Sequence, residues 1–224
     1  MVNRQWAIGN EQRSGNDQQT TNSGQSEIGN RKSEIGIIAL LPGSRKQELK
    51  IKLPIMLQVA ERFPDHNFLV AKAPGIEDEF YDSFLAPYKN VGTVSDQTYL
   101  LLLKAKAALV TSGTATLETA LFNVPEIVCY KGNALSYLIA KRLVKIKYIS
   151  LVNLILNKEV VKELIQDELT VKNLQWELQE LLTNELRRNQ IFNDYAELKK
   201  LLSLGGNASF NAAKSIHSYV KANG

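Results

Sequence analysis

Ala108-Leu109-Val110 runs into Thr111-Ser112-Gly113-Thr114-Ala115-Thr116, and a helical run with Glu118 in its first turn follows. A short apolar run that stops at small hydroxylated residues around a glycine and then turns helical reads as a buried strand feeding a helix N-terminus. The first N–H groups of a helix lack intrahelical partners and carry partial positive charge, so they suit an anion. Small residues let a phosphate approach the backbone, hydroxyls replace its water, and the Glu118 carboxylate can accept hydrogen bonds from two ribose hydroxyls. A capping box between Thr114 and Glu118 would explain the same residues without any ligand.

A second turn of this kind lies upstream. Ile37–Leu41 is a strand run, and Pro42-Gly43-Ser44-Arg45 follows it immediately before an amphipathic helix. Ser44 can cap that helix or donate to a phosphate oxygen, and the Arg45 guanidinium can pair with a diphosphate and offset charge on a leaving group. Read blandly, this is an N-cap beside a surface arginine.

Outward from these turns the same texture repeats: short apolar runs at 37–41, 67–71, 90–94, 107–111 and 126–130 alternate with helical patterns at 46–63, 76–86, 96–105, 114–122 and 133–146. Strands alternating with helices over short connections predict a doubly wound, Rossmann-like α/β fold on a parallel sheet. Pro54 falls inside the first helix and predicts a late start or a kink. After Asn157 the pattern reads as helical to the end, broken at Gly205-Gly206, with the last helix ending near Val220. Residues 1–36, rich in Asn, Gln, Ser and Gly without an apolar period, read as a disordered tail or linker, which leaves 37–220 as the domain.

Composition narrows the function. Across 224 residues, 27 basic and 23 acidic side chains give a net charge of +4, too mild an excess to indicate nucleic acid. Cys129 is the only cysteine, and the two histidines, His66 and His217, stand far apart, so neither a disulfide nor a metal centre is expected. No run approaches the roughly 18 to 20 apolar residues of a membrane span, and the polar N-terminus does not read as a signal peptide, so a cytoplasmic protein is expected. Neither turn matches G-x-x-x-x-G-K-[S/T] and no G-x-G-x-x-G occurs, which removes the usual cradle of a P-loop ATPase or a nicotinamide dehydrogenase. Nucleotide-sugar binding survives this filter.

The blocks Leu40-Leu41-Pro42-Gly43-Ser44-Arg45-Lys46-Gln47-Glu48, Thr111 to Glu118, Val128-Cys129-Tyr130-Lys131, Tyr148 to Ile155 and Val160 to Gln166 resemble, in order and spacing, the lipid-A-disaccharide synthase family. That resemblance covers essentially Ile37 to Val220. It implies a GT-B glycosyltransferase of two Rossmann-like domains, which transfers 2,3-diacylglucosamine from UDP to 2,3-diacylglucosamine 1-phosphate and releases UDP, with no cofactor.

It further implies that this chain is the C-terminal, UDP-sugar-binding half, with the N-terminal domain absent and the half alone inactive. Carried over residue by residue, Gly43, Ser44 and Arg45 meet the diphosphate from the first turn, with Arg45 as the leaving-group stabiliser. Ser112, Gly113, Thr114 and Thr116 meet it from the second, and Glu118 holds ribose. Tyr130, Lys131 and Asn133 follow the next strand and face uracil or sugar phosphate, or form an ordinary loop. Asn153, Glu163 and Gln166 fall near the sugar or the domain interface. No position receives a catalytic base, because in the family the presumed base and most acceptor contacts belong to the N-terminal half. Two other readings stand beside this one: a non-catalytic nucleotide-sugar-binding or partner-binding module, and another GT-B UDP-sugar enzyme.

Between Glu126 and Glu159 there is no acidic residue, while Lys131, Lys141, Arg142, Lys145, Lys147 and Lys158 fall there. With Leu135, Leu138, Ile139, Leu143 and Ile146 at helical spacing, this segment reads either as a helix covering the sheet or as a basic amphipathic helix resting on an anionic membrane. The acylated substrates that the resemblance implies put the second reading on the inner face of the inner membrane, as a peripheral contact.

Overall fold

A computed structural model describes residues 36–111, 113–132, 147–204, 206 and 208–223. The tail expected over the first 36 residues, the basic helix expected at 133–146, Ser112 and Asn133 fall outside the described residues, Gly36 excepted.

Six strands form one parallel sheet: β1 (Ile37–Leu41), β2 (Asn67–Ala71), β3 (Val91–Val94), β4 (Ala105–Val110), β5 (Glu126–Tyr130) and β6 (Lys162–Ile165), in the spatial order β3-β2-β1-β4-β5-β6. Between them run α1 (Lys46–Ala60), α2 (Asp78–Leu85), α3 (Thr98–Lys104), α4 (Thr114–Leu121) and α5 (Leu151–Leu156), and α6 (Val171–Thr183), α7 (Glu185–Leu204) and α8 (Ala208–Asn223) follow β6.

Alternate residues of β1 explain the double winding, because successive side chains of a strand face opposite sides. Ile38 and Leu40 pack with Leu49, Leu53 and Met56 of α1 and with Leu174 and Leu178 of α6. Ala39 and Leu41 face the other way, against Leu101 and Leu102 of α3. Both faces are covered, and β1 contributes five apolar residues in a row for that reason.

The doubly wound class and the five sequence-read strands stand in the structure, with small shifts. The strand expected at 107–111 begins at Ala105, since the backbone is already extended (φ −76°, ψ 137°) where α3 ends. Helix α1 passes through Pro54 and starts at Lys46 rather than late. The expected break separates α7 from α8.

The reading of everything after Asn157 as helix is corrected: Lys162–Ile165 is an edge strand paired in parallel with β5. Val160 and Leu164, four apart, imitate a helical stripe, and four residues are too few to display a period of two. Helix α5 was not anticipated either. Ser150 caps it by accepting from the Asn153 N–H at 3.3 Å, and Asn157 ends it in the left-handed conformation (φ 51°).

Candidate functional site

Strand order reverses between β1 and β4, and in open α/β sheets the crevice at the carboxyl ends of those two strands is where ligands bind. The two turns singled out in the sequence occupy that crevice. They sit side by side because β1 and β4 are register neighbours, with Leu41 opposite Val110 and the Thr111 N–H donating to the Leu41 carbonyl at 2.9 Å.

In the first turn Gly43 takes φ +105°, which L side chains rarely adopt, and an added Cβ would stand 3.3 Å from both Glu48 Oε2 and the Thr111 methyl. Arg45, not Ser44, is the N-cap residue of α1, and no side chain caps that helix. Ser44 and Arg45 are exposed. The guanidinium, 82 % exposed, touches only Glu48 Oε1, at 3.4 Å among the described ion pairs.

In the second turn Gly113 is the N-cap of α4 (φ 121°) and as a glycine gives no side-chain cap, and among the described residues nothing beyond its chain neighbours lies within 4 Å of the position its Cβ would take. Thr114 is therefore the first helical residue, and the capping-box reading of Thr114 and Glu118 fails on geometry: the box needs its hydroxyl at the N-cap. Thr116 is buried and its hydroxyl donates to the Gly113 carbonyl at 2.8 Å, so it braces the turn, while Thr114 is exposed.

Glu118 is half-buried and lines a cleft of about 420 Å³ with Asp96, Gln97, Thr98, Tyr99 and Leu100, which follow β3. Asp96 holds φ 54° there, and the Tyr99 ring stacks on Phe122 at 5.2 Å between centroids. The sequence reading missed this wall. Its only signal was the end of a strand at Val94, since nothing local shows that β3's loop reaches α4.

Lys52 was also missed. It is 1 % exposed, and its ammonium donates to Glu48 Oε2 at 2.9 Å and to the Thr111 hydroxyl, joining the helix after the first turn to the start of the second. At i+4 from Glu48 it looks in sequence like half of a surface ion pair.

Tyr130 ends β5 and Lys131 follows it, both half-buried, at the same carboxyl end of the sheet. Farther along, Glu163 and Asn153 spend their polar atoms internally. The Glu163 carboxylate accepts from the Ile149 N–H (2.9 Å), the Ser150 N–H (2.9 Å), the Ser150 hydroxyl (2.7 Å) and the Asn153 amide (2.9 Å). The Asn153 side chain also donates to the Val161 carbonyl and accepts from the N–H groups of Val160 and Val161. Gln166, just past β6, has φ 53° and a buried Nε2 with no hydrogen-bond partner among the described residues. His66 precedes β2 at the opposite end of the sheet, and burial holds its imidazole below the usual range. Cys129 is buried and its thiol is pushed far up, which leaves no thiolate nucleophile.

Among the described residues the crevice thus offers two helix N-termini whose N-cap residues give no side-chain cap, an exposed guanidinium, a buried ammonium and a carboxylate in a side cleft. These are groups of the kind that suit an anion and a neutral diol. Among the described residues no three His, Cys, Asp or Glu side chains group as metal ligands, and no helix is long and apolar enough to cross a membrane.

Comparison with known proteins agrees in sequence and in shape. The sequence model of the lipid-A-disaccharide synthetase family matches residues 16–219. A lipid-A-disaccharide synthase of Psychromonas ingrahamii is 42 % identical over 173 residues, covering 74 % of this chain and 45 % of that protein. One from Gloeothece citriformis is 38 % identical over 190 residues, 82 % of this chain and 49 % of the relative. The chain spans about half the length of the curated relatives it matches. Among solved structures, the calicheamicin glycosyltransferase CalG4 superposes with a TM-score of 0.54 at 15 % identity, over 86 % of this chain and 45 % of that one. S. aureus MnaA, in its co-structure with UDP, gives 0.50 at 14 % identity over 72 % and 41 %. At such identities the likeness is one of fold.

Proposed function

The chain belongs to the lipid-A-disaccharide synthetase family, and from that premise we propose that it is the nucleotide-sugar-binding half of a glycosyltransferase that builds the lipid A disaccharide. One observation carries the reading: at the two turns that meet at the β1/β4 switch point, neither N-cap residue, Arg45 or Gly113, gives its helix a side-chain cap. Those N–H groups have an anion as their natural partner.

In this reading the diphosphate of a UDP-linked diacylglucosamine lies between Gly43, Ser44 and Arg45 on one side and Ser112, Gly113 and Thr114 on the other. Thr116 braces the second turn. Glu118 accepts the ribose hydroxyls, and the base extends into the cleft beside Tyr99. The sugar points toward Tyr130, Lys131, Asn133 and Gln166, with Asn153 and Glu163 shaping that edge. A hydroxyl of acylated glucosamine phosphate attacks the anomeric carbon, its proton passes to a base, and the bond to the diphosphate oxygen breaks with its electron pair leaving on UDP. Arg45 stabilises that charge. No residue of this chain is assigned as the base; the reading gives that role to the part of the family's length this chain does not span.

Titration calorimetry with UDP tests the site. Saturable binding is expected, weakened about tenfold or more in both Arg45→Ala and Glu118→Ala, the loss typical of one charge-assisted contact. Wild-type affinity in both variants would reject the site.

Acylated substrates place the reaction at a membrane surface, so we read the protein as cytoplasmic and peripheral to an anionic bilayer, attracted through its Lys- and Arg-rich segment at 131–158. Sedimentation with anionic vesicles at low salt, lost as salt is raised, is the expected behaviour. An unchanged supernatant at low salt contradicts it.

A further inference from the structure

We propose that Lys52 is a positioning residue for the diphosphate, acting from beneath the Gly43 turn through Glu48 and Thr111. This inference rests on the nucleotide reading above.

Lys52 occupies the core-facing side of α1 with Leu49, Leu53 and Met56, all three fully buried. An apolar residue would fill that stripe at no electrostatic cost, whereas a buried ammonium needs partners. It has two, and each belongs to one wall of the crevice: Glu48 in the first turn of α1, and Thr111 at the end of β4. Its Nζ lies 3.7 Å from the point where a Cβ on Gly43 would stand, so the charge sits directly under the loop that would carry the phosphate.

Two consequences follow for an arriving anion. The Thr111 oxygen accepts from the ammonium, so its own proton must point elsewhere, and no described residue accepts it; the Thr111 hydroxyl is preset as a donor, polarised by the charge behind it. Glu48 is held by two cations, Lys52 at 2.9 Å from below and the exposed Arg45 at 3.4 Å from outside. When Arg45 turns to a phosphate, Lys52 keeps Glu48 neutralised and removes a repulsion that would otherwise face the ligand.

The test is calorimetric and NMR titration of the 224-residue chain with UDP and, separately, with uridine, beside thermal melts. Lys52→Met, close in shape, is expected to melt near the wild type, to bind UDP about tenfold more weakly and to bind uridine unchanged. Adding Glu48→Gln to Lys52→Met should recover much of the lost UDP affinity. Thr111→Val, which keeps the shape and removes the hydroxyl, should also weaken UDP selectively, and it decides the matter if Lys52→Met does not fold. Wild-type UDP affinity in Lys52→Met, or in Thr111→Val where the first variant is unfolded, overturns the inference. So does an equal loss of UDP and uridine. No UDP binding by the wild type overturns the nucleotide reading itself, and this inference with it.

Discussion

Glu163→Ala is expected to lower folding stability by about 4 kcal/mol, visible as a fall in melting temperature of roughly 10 °C. Edge strand β6 is only four residues long and gains little from its ladder to β5. What ties it to the segment entering α5 is one carboxylate that accepts from two backbone N–H groups, a hydroxyl and an amide. Truncation leaves those donors buried without acceptors, each at about 1–3 kcal/mol, less whatever water recovers. Glu163→Gln should fall between, because it keeps one acceptor oxygen and turns an amide against donors already present. Thermal and urea melts decide it, and an alanine variant that melts with the wild type would show that the network holds nothing together.

Glu126 carries the opposite sign. It opens β5 fully buried, and neither carboxylate oxygen has a hydrogen-bond partner among the described residues. Burial drives its pKa well above the usual carboxylate range, and Cys129 and Tyr195 close by are themselves pushed up, chiefly by burial; Glu126 adds to this at Tyr195, while at Cys129 Lys52 pulls down by more than Glu126 pushes up. The Tyr195 hydroxyl is turned to the Val124 carbonyl at 3.2 Å instead of to the acid. Since the folded state keeps its proton at pH values where the unfolded chain has lost it, the unfolded state binds fewer protons. Stability is therefore greatest below the unfolded pKa of Glu126 and falls as pH rises through it toward the folded value, by about 1.4 kcal/mol per pH unit for this one group. Glu126→Met, apolar and similar in length, should raise stability at neutral pH by about 2 kcal/mol, or roughly 5 °C, and flatten that dependence. Urea melts from pH 5 to 8 read both effects. A variant less stable than the wild type, or one with the same slope, would mean that the carboxyl has a partner or ionises in place.

These sites divide the protein into a part that is built to be stable and a part that is not. The Glu163 network satisfies itself, and the two sheet cores are apolar apart from a few buried polar groups, Glu126 among them. Among the described residues the crevice at β1 and β4 leaves polar groups open: helix starts whose N-cap residues give no side-chain cap, an Arg45 held by one long ion pair and a Thr111 proton with no acceptor. Such imperfection at a switch point is where ligand binding is found in this kind of sheet.

Five strands and both turns were legible in the sequence because each is a local event. A fully buried parallel strand must be apolar on both faces, as Ile37–Leu41 is, and a backbone that approaches a phosphate must be small, as Gly43 and Gly113 are. The family, too, was written in ordered local blocks. Strand β6 and helix α5 were not legible. Lys162–Ile165 is strand only because β5 offers it an edge, and the partner that makes Glu163 buried rather than solvated lies 14 residues upstream, at Ile149. Lys52 and Glu118 were visible as residues, but their surroundings were not. Whether a lysine four residues after a glutamate rests on the surface or under a turn depends on which strand lies beside β1, and whether Glu118 faces open water or a cleft depends on where β3's loop falls. Local sequence fixes φ, ψ and hydrophobic period within a few residues. Strand order joins residues 59 positions apart, Lys52 and Thr111, and only the packed sheet decides which charges are buried together.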